Sequence, residues 1–388
     1  MRSIYFDYNA TTPLDPLARA AMMPFLDEIW GNPSSVHHMG RKARAYLDEF
    51  RERSAKVLRC RPSEVIFTSG GTESANMAIF GAARALKARG RHIITSAIEH
   101  HAVLHSFQYL AKQEGFEATY LPVNREGLIS PDDLAKALRP DTILVSLMAA
   151  NNEIGTIQPV AELGRICQSR GVLFHVDAVQ WFGKEPFANI QQFNADLVSI
   201  CAHKFHGPKG AGALFIKSPL HPVPILFGGS HENERRAGTE NLAAIAGFVE
   251  ALERFVVEPV FRKEKLSPLS NRLIQLIDDI PGVQFVGSRE KRLANTVSFL
   301  VEGADSISLL ANLDLDGICA SSGSACSAGS IEPSHVITAL GVKPELANSL
   351  VRFSLGRDSS LEEVEFVERV LPEIIGRAQG AEKAGKTL

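Results

Sequence analysis

Through the middle of the chain, short apolar runs alternate with longer amphipathic ones. Glu64–Thr68, His92–Thr95, Ala118–Val123, Thr142–Met148, Val172–Asp177, Leu197–Cys201 and Ala211–Ile216 are rich in Val, Ile, Leu and Phe and read as strands. Helical stretches separate many of them, at Thr72–Ala88, Val103–Glu114, Pro131–Leu138 and Val160–Arg170. Strand runs without clean apolar–polar alternation fit burial on both faces. The pattern is β-α-β-α and predicts an α/β domain, a mostly parallel sheet flanked by helices. The Gly-rich run 207–216 reads as a hairpin return rather than a crossover.

After about Asn241 the texture changes. Long helical stretches cover Leu242–Glu258 and Lys265–Ile280, strands follow at Gln284–Val286 and Thr296–Leu300, and a last helix is expected around Leu361–Ala378. The final stretch 381–388 is expected to fray. This predicts a smaller α+β domain made of 1–15 and 251–388, carrying a loop at 321–330, beside a large domain over 16–250. A chain of 388 residues exceeds one small core, so two lobes are expected.

Composition narrows the function classes. Lys and Arg number 41 against 44 for Asp and Glu, so no global basic field exists for a nucleic acid or an anionic membrane. The longest apolar stretch, Ile143 to Ala150, is far short of the ~20 residues that span a bilayer. The N-terminus MRSIYFDYNATTPLDP has neither an apolar signal core nor an arginine-rich presequence, and a cytoplasmic location is expected. Five cysteines lie at scattered spacings with no Cys-x-x-Cys, which argues against a disulfide framework or a zinc site.

Several short segments carry candidate chemistry. In VSICAHKFHGPKGAG, Lys204 follows a strand end, where ligands bind in open α/β folds; it is either a solvated lysine or a desolvated amine able to form a Schiff base. In FHVDAVQ, Asp177 ends a strand and is either a cap or the partner of a buried cation such as a protonated pyridine nitrogen, with Gln180 three residues on. FTSGGTESAN makes a strand–Gly-Gly–helix turn whose free N–H groups at Gly71 and Thr72 suit an anion. In AIEHHAV, His100 or His101 can stack on a flat ligand and move protons. In SSGSACSAGS every residue but Cys326 is Ser, Gly or Ala, so the thiol is expected on a mobile loop, as a working nucleophile. Arg352 in VRFSLG is either a carboxylate clamp or an ordinary ion pair. Together these groups describe a site that holds a phosphorylated pyridine aldehyde on a lysine and an amino acid on that aldehyde.

The ordered set DYNATTPLDP, GNPSSVHHMGRKAR, FTSGGTES, NNEIGTIQP, HVDAVQ, AHKFHGPKG, SSGSACSAGSIEPSHVITALG and RFSLGR resembles the cysteine desulfurases of the NifS/IscS type. These belong to the class V aminotransferases, fold-type I pyridoxal-phosphate enzymes. The resemblance spans nearly the whole chain and implies pyridoxal 5′-phosphate as cofactor and L-cysteine as substrate. It implies that Lys204 carries the cofactor, Asp177 holds its ring nitrogen, and Gln180 and Asn152 contact its ring hydroxyl. It further implies that His100 stacks on the ring, while Thr72, Gly71, Cys201 and His203 bind phosphate. Arg352 would take the substrate carboxylate. Thr239 would reach the phosphate of a neighbouring subunit, which implies a homodimer. Cys326 would take the sulfur as a persulfide and deliver it to an acceptor protein such as an iron–sulfur scaffold. No resident metal is implied, Cys326 being the one candidate for transient iron–sulfur ligation. A selenocysteine lyase or another class V aminotransferase is the alternative reading. The family usually has Ser where this chain has Cys201, and the ending at GKTL lacks the longer tail with which some relatives dock the scaffold.

Overall fold

The computed structural model describes residues 3–323 and 333–385. Twelve strands are described: β1 Ile4–Tyr5, β2 Val65–Thr68, β3 His92–Ser96, β4 Glu117–Leu121, β5 Thr142–Met148, β6 Leu173–Asp177, β7 Leu197–Cys201, β8 Gly212–Ile216, β9 Val283–Val286, β10 Thr296–Val301, β11 Ile318–Cys319 and β12 Val351–Ser354. Seven form one sheet in the order β2-β8-β7-β6-β5-β3-β4. The pairs from β7 through β4 are parallel, whereas β8 runs antiparallel to both β7 and β2. The Gly-rich return before β8 is therefore a hairpin, as its composition predicts. All seven residues of β5 are buried, which explains why its apolar residues do not alternate with polar ones. Alternate residues feed separate apolar layers: Val65, Phe67, Ala213 and Phe215 on one face, Ile66, Leu214 and Ile216 on the other.

A second, antiparallel sheet has the order β12-β10-β9. The N-terminal β1 pairs in parallel with β11, and Ile4, Phe6 and Tyr8 share an apolar cluster with Phe299, Phe353 and Leu371. The first residues of the chain thus fold with its last third, and the segment Asn9–Ala10 crosses from that cluster towards the large sheet.

The sequence pattern misses one large element, the helix His38–Leu58. Its apolar stripe is narrow, and its buried face includes Arg51, which pairs with Glu232 at 2.6 Å. The last helix runs from Leu361 to Gly385, past the expected end at Ala378 and into the stretch expected to fray. Among the described residues no helix is long and apolar enough to cross a membrane.

Candidate active site

The parallel strands β5, β6 and β7 end side by side, with Met148 opposite Asp177 and Asp177 opposite Ser199. Their tips open onto a cavity of about 250 Å³. Gly71, Thr72, His100, Asn152, Asp177, Gln180, Cys201, His203, Lys204 and Arg352 all line it. Ligands bind at strand carboxyl ends in such sheets because the loops there are free to carry polar groups without breaking the ladder. A larger surface groove of about 510 Å³ lies around Arg59, Cys60 and Lys217 and contains none of these residues.

Lys204 closes a single 3-10 turn, Ala202–Lys204, directly after β7. Its Nζ donates to the backbone carbonyls of Asn9 and Ala10, both at 2.8 Å. Burial pushes its pKa down, with Arg352 adding to the shift and Cys201, Asp7 and Asp177 opposing it. An amine held by neutral carbonyls in a desolvated site loses its proton readily, as a nucleophile or base must.

Two imidazoles of the wall are neutral. His100 caps the helix His101–Gln113, its Nδ1 accepting the N–H of Ala102 at 3.1 Å, which leaves Nε2 to carry the proton. Burial, then the nearby Lys204, lower its pKa to about 4. His203 is lowered to about 4 by the same two causes, and its Nδ1 lies 3.1 Å from Thr11 Oγ1. Asp177 moves the other way. Burial raises its carboxyl to about 6, against the pull of the Val179 N–H and of Lys204. Its Oδ1 accepts that N–H at 3.0 Å, so the capping role and the cavity-facing role coexist.

The turn before the helix Gly71–Leu86 explains its two glycines. Gly70 has φ +149, and a Cβ on Gly71 would lie 2.7 Å from Val179 Cγ2. Cys201 sits beneath this turn, its Sγ 3.7 Å from where a Cβ on Gly70 would lie, and burial raises its pKa against the opposing pull of Lys204.

Arg352 lies in the middle of β12 and is 1% exposed. It donates to Asp7 at 2.7 Å and to the carbonyls of Asn152 and Gly323, each at 2.8 Å. Its Nε is buried with no partner among the described residues. The side chain is thus ion-paired, with one guanidinium N–H left without a partner among the described residues.

One expected residue is not in this cavity. Thr239 lines a separate one of about 150 Å³ with Ser69 and Arg236, behind the Gly-Gly turn. Cys326 and the loop residues 324–330 lie outside the described residues. Three residues that motif reading passed over do belong to the site. Asn9 supplies a carbonyl to Lys204, Lys184 donates to both Asn9 and Gln180, and Glu99 is buried behind β3 and β5. Glu99 accepts from Ser96 Oγ at 2.6 Å and from the Met148 N–H at 3.1 Å, and burial raises it to about 8. An Asn, Lys or Glu within DYN, GK and IEH is detectable only as a polar residue beside an apolar run.

A pyridine aldehyde phosphate fits this donor set. The cavity offers an amine with no carboxylate partner among the described residues, a buried carboxyl, a turn of N–H groups at a helix start and flat neutral imidazoles.

Comparison with known proteins gives the same answer. Residues 4–367 match the family model described as aminotransferase class-V. The chain is 50% identical to the cysteine desulfurase IscS of Dictyoglomus turgidum, covering 96% of this chain and 95% of that one. It is 46% identical to the cysteine desulfurase IscS of Methanosarcina thermophila, covering 96% and 92%. A solved structure titled NifS-like protein superposes with a TM-score of 0.89 at 37% identity, covering 97% of this chain and all (100%) of that one. Another, titled SspA in complex with cysteine, gives 0.80 at 33% identity, covering 92% and 100%. The chain belongs to the class V aminotransferase family, among relatives of the NifS/IscS cysteine desulfurase type.

Proposed function

We infer that this chain is a pyridoxal-phosphate-dependent cysteine desulfurase, converting L-cysteine to L-alanine and passing the sulfur on for iron–sulfur cluster or other sulfur-cofactor synthesis. The observation that carries this reading is the cluster of Lys204, Asp177, His100 and Arg352 around one cavity at the strand tips.

Lys204 would hold the cofactor covalently, Asp177 its ring nitrogen, and the Gly71–Thr72 turn with His203 and Cys201 its phosphate. Gln180 and Asn152 would contact its ring hydroxyl, and His100 would stack on the ring. The bound cofactor supplies an electron sink at the substrate α-carbon. The chain's own residues do the rest. Arg352 orients the cysteine carboxylate. Lys204, with no carboxylate partner among the described residues, removes the α-proton. His100, neutral with its proton on Nε2, moves protons at the cavity wall. Cys326 attacks the substrate sulfur as the thiolate; the carbon–sulfur bond breaks with its electron pair passing to the substrate carbon, the sulfur stays on Cys326 as a persulfide, and proton return gives alanine.

Three further readings belong to this proposal. The large domain covers 16–250 and the small one 1–15 with 251–388; each has its own apolar cluster, and at the junction Ala251, Leu252, Phe255 and Val256 pack with the large one. The protein works as a cytoplasmic homodimer in which Thr239 serves the partner's phosphate; exposed Trp30, Val36 and Phe227 are consistent with a covered face. The persulfide passes to an acceptor protein such as an iron–sulfur scaffold.

The test is a parallel assay of cysteine-dependent alanine and sulfide, with the visible spectrum of the purified protein. Cys326→Ala should keep the cofactor band and lose protein persulfide. Persulfide mapped to Cys201 or Cys319 in the wild type would refute the role given to Cys326.

A further inference from the structure

Lys184 is fully enclosed, 4% exposed, and no described carboxylate lies within ion-pair distance of it. Two other cations, Lys204 and Arg352, act on it, opposed by Glu185 and by the face of the Phe261 ring, whose centre is 5.2 Å from the amine. A buried amine in such company is costly, and a methionine would fill the same volume without that cost. Its position is set by a tight turn. Gly183 has φ +78, and a Cβ there would fall 2.5 Å from the Cβ of Phe205. The amine must therefore do something an apolar chain cannot.

Its contacts show what. Nζ donates to Asn9 Oδ1 at 2.6 Å and to the side-chain oxygen of Gln180. On its other edge, Gln180 donates from Nε2 to the Asn9 carbonyl at 3.0 Å. A primary amide has two nearly isosteric faces, and its neighbours choose between them. A flipped Gln180 would set its NH₂ against the Lys184 amine and its oxygen against the Asn9 carbonyl, two repulsive contacts in place of two bonds. Gln180 lines the cavity, and Nε2 has a second N–H to offer there.

We propose that Lys184 is a positioning residue that locks the Gln180 amide so that the cavity meets a hydrogen-bond donor rather than an acceptor. The ligand group selected is an anionic ring oxygen beside the Lys204 attachment point. This rests on the cofactor reading of the pocket and deepens it. An N–H donated to that oxygen stabilises its negative charge and competes with the proton shared at the Lys204 linkage. Loss of the lock should weaken cofactor binding and raise the pH at which the visible band changes.

The experiment compares Lys184→Met, Gln180→Ala and the double variant with wild type. Three quantities are read: the pyridoxal-phosphate dissociation constant of the stripped protein, the pH midpoint of the visible band, and the melting temperature. Lys184→Met should weaken binding about threefold to tenfold and raise the midpoint by about half a pH unit. In the Gln180→Ala background the same change should alter affinity by less than about twofold, since the group it acts through is gone. Lys184→Gln keeps an N–H donor group and should restore most of the affinity, and it replaces the Met variant if that does not fold. Equal weakening in both backgrounds, or a lowered melting temperature with an unmoved midpoint, would overturn the proposal. A wild-type protein with no visible band would overturn the cofactor reading, and this inference with it.

Discussion

Lys204 and Arg352 are both buried cations on one cavity, and the two sheets supply them differently. Lys204 hangs from the tip of a parallel strand in a 3-10 turn, held by two backbone carbonyls. Arg352 sits mid-strand in an antiparallel sheet, fixed by Asp7 and two carbonyls. Neutral acceptors leave an amine able to give up its proton. A carboxylate partner and a planar fork leave a guanidinium fixed in place to bind. The strand tip is suited to reaction and the strand interior to orientation.

The largest effect should come from removing that distinction at the tip. Lys204→Arg keeps a cation but cannot act as amine nucleophile or base, so cysteine-dependent alanine should fall to background while circular dichroism stays native. Turnover in this variant would break the comparison.

Acid should act on the tip side of the cavity. The fold keeps His100 and His203 neutral down to about pH 4, whereas the unfolded chain takes up their protons from about pH 6.5. Their stabilisation is complete above pH 6.5 and is lost as pH falls towards 4, on the order of 3 kcal/mol for each group. Asp177, raised from 3.8 to about 6, works in opposition: its cost is absent below pH 3.8 and complete above pH 6. Melting temperatures of the cofactor-free protein from pH 7 to pH 4 should fall less steeply for His100→Gln than for wild type. Identical slopes would remove His100 from this account.

Arg352→Lys keeps the charge and loses the fork. The cysteine concentration for half-maximal rate should rise about 10–150-fold, as for a charge-assisted bond worth roughly 1.5–3 kcal/mol, with a smaller change in maximal rate. An unchanged concentration dependence would return Arg352 to a purely structural pairing with Asp7.

The smallest effect is expected at Cys201, buried beneath the Gly70–Gly71 turn. A hydroxyl could donate to a phosphate there. Cys201→Ser should keep activity and tighten cofactor binding by about 0.5–1.5 kcal/mol, read as slower cofactor release. Faster release would mean the sulfur is needed in that turn.

Much of this was legible in the chain alone. The seven strands of the large sheet fall where apolar runs lie, and Thr142–Met148 and Leu197–Cys201 match residue for residue, because strands buried on both faces leave no polar position to blur their ends. Helix His38–Leu58 was missed, although Ala43, Leu47, Phe50, Ser54 and Leu58 recur on one face. Its many charges lower the contrast on which periodicity depends. Lys204, Asp177, His100 and the Gly-Gly turn carry local signals, each at the end of a strand or the start of a helix.

What only the tertiary structure decided is who partners whom. Asn9 lies 195 residues from Lys204 and 175 from Lys184, yet its carbonyl and side chain join them. Asp7 lies 345 residues from Arg352. Local sequence fixes backbone geometry and the burial pattern of each element, since both depend on neighbours in the chain. Hydrogen-bond partners and shifted protonation depend on which distant groups share a desolvated space, and that space exists only once the two sheets have packed.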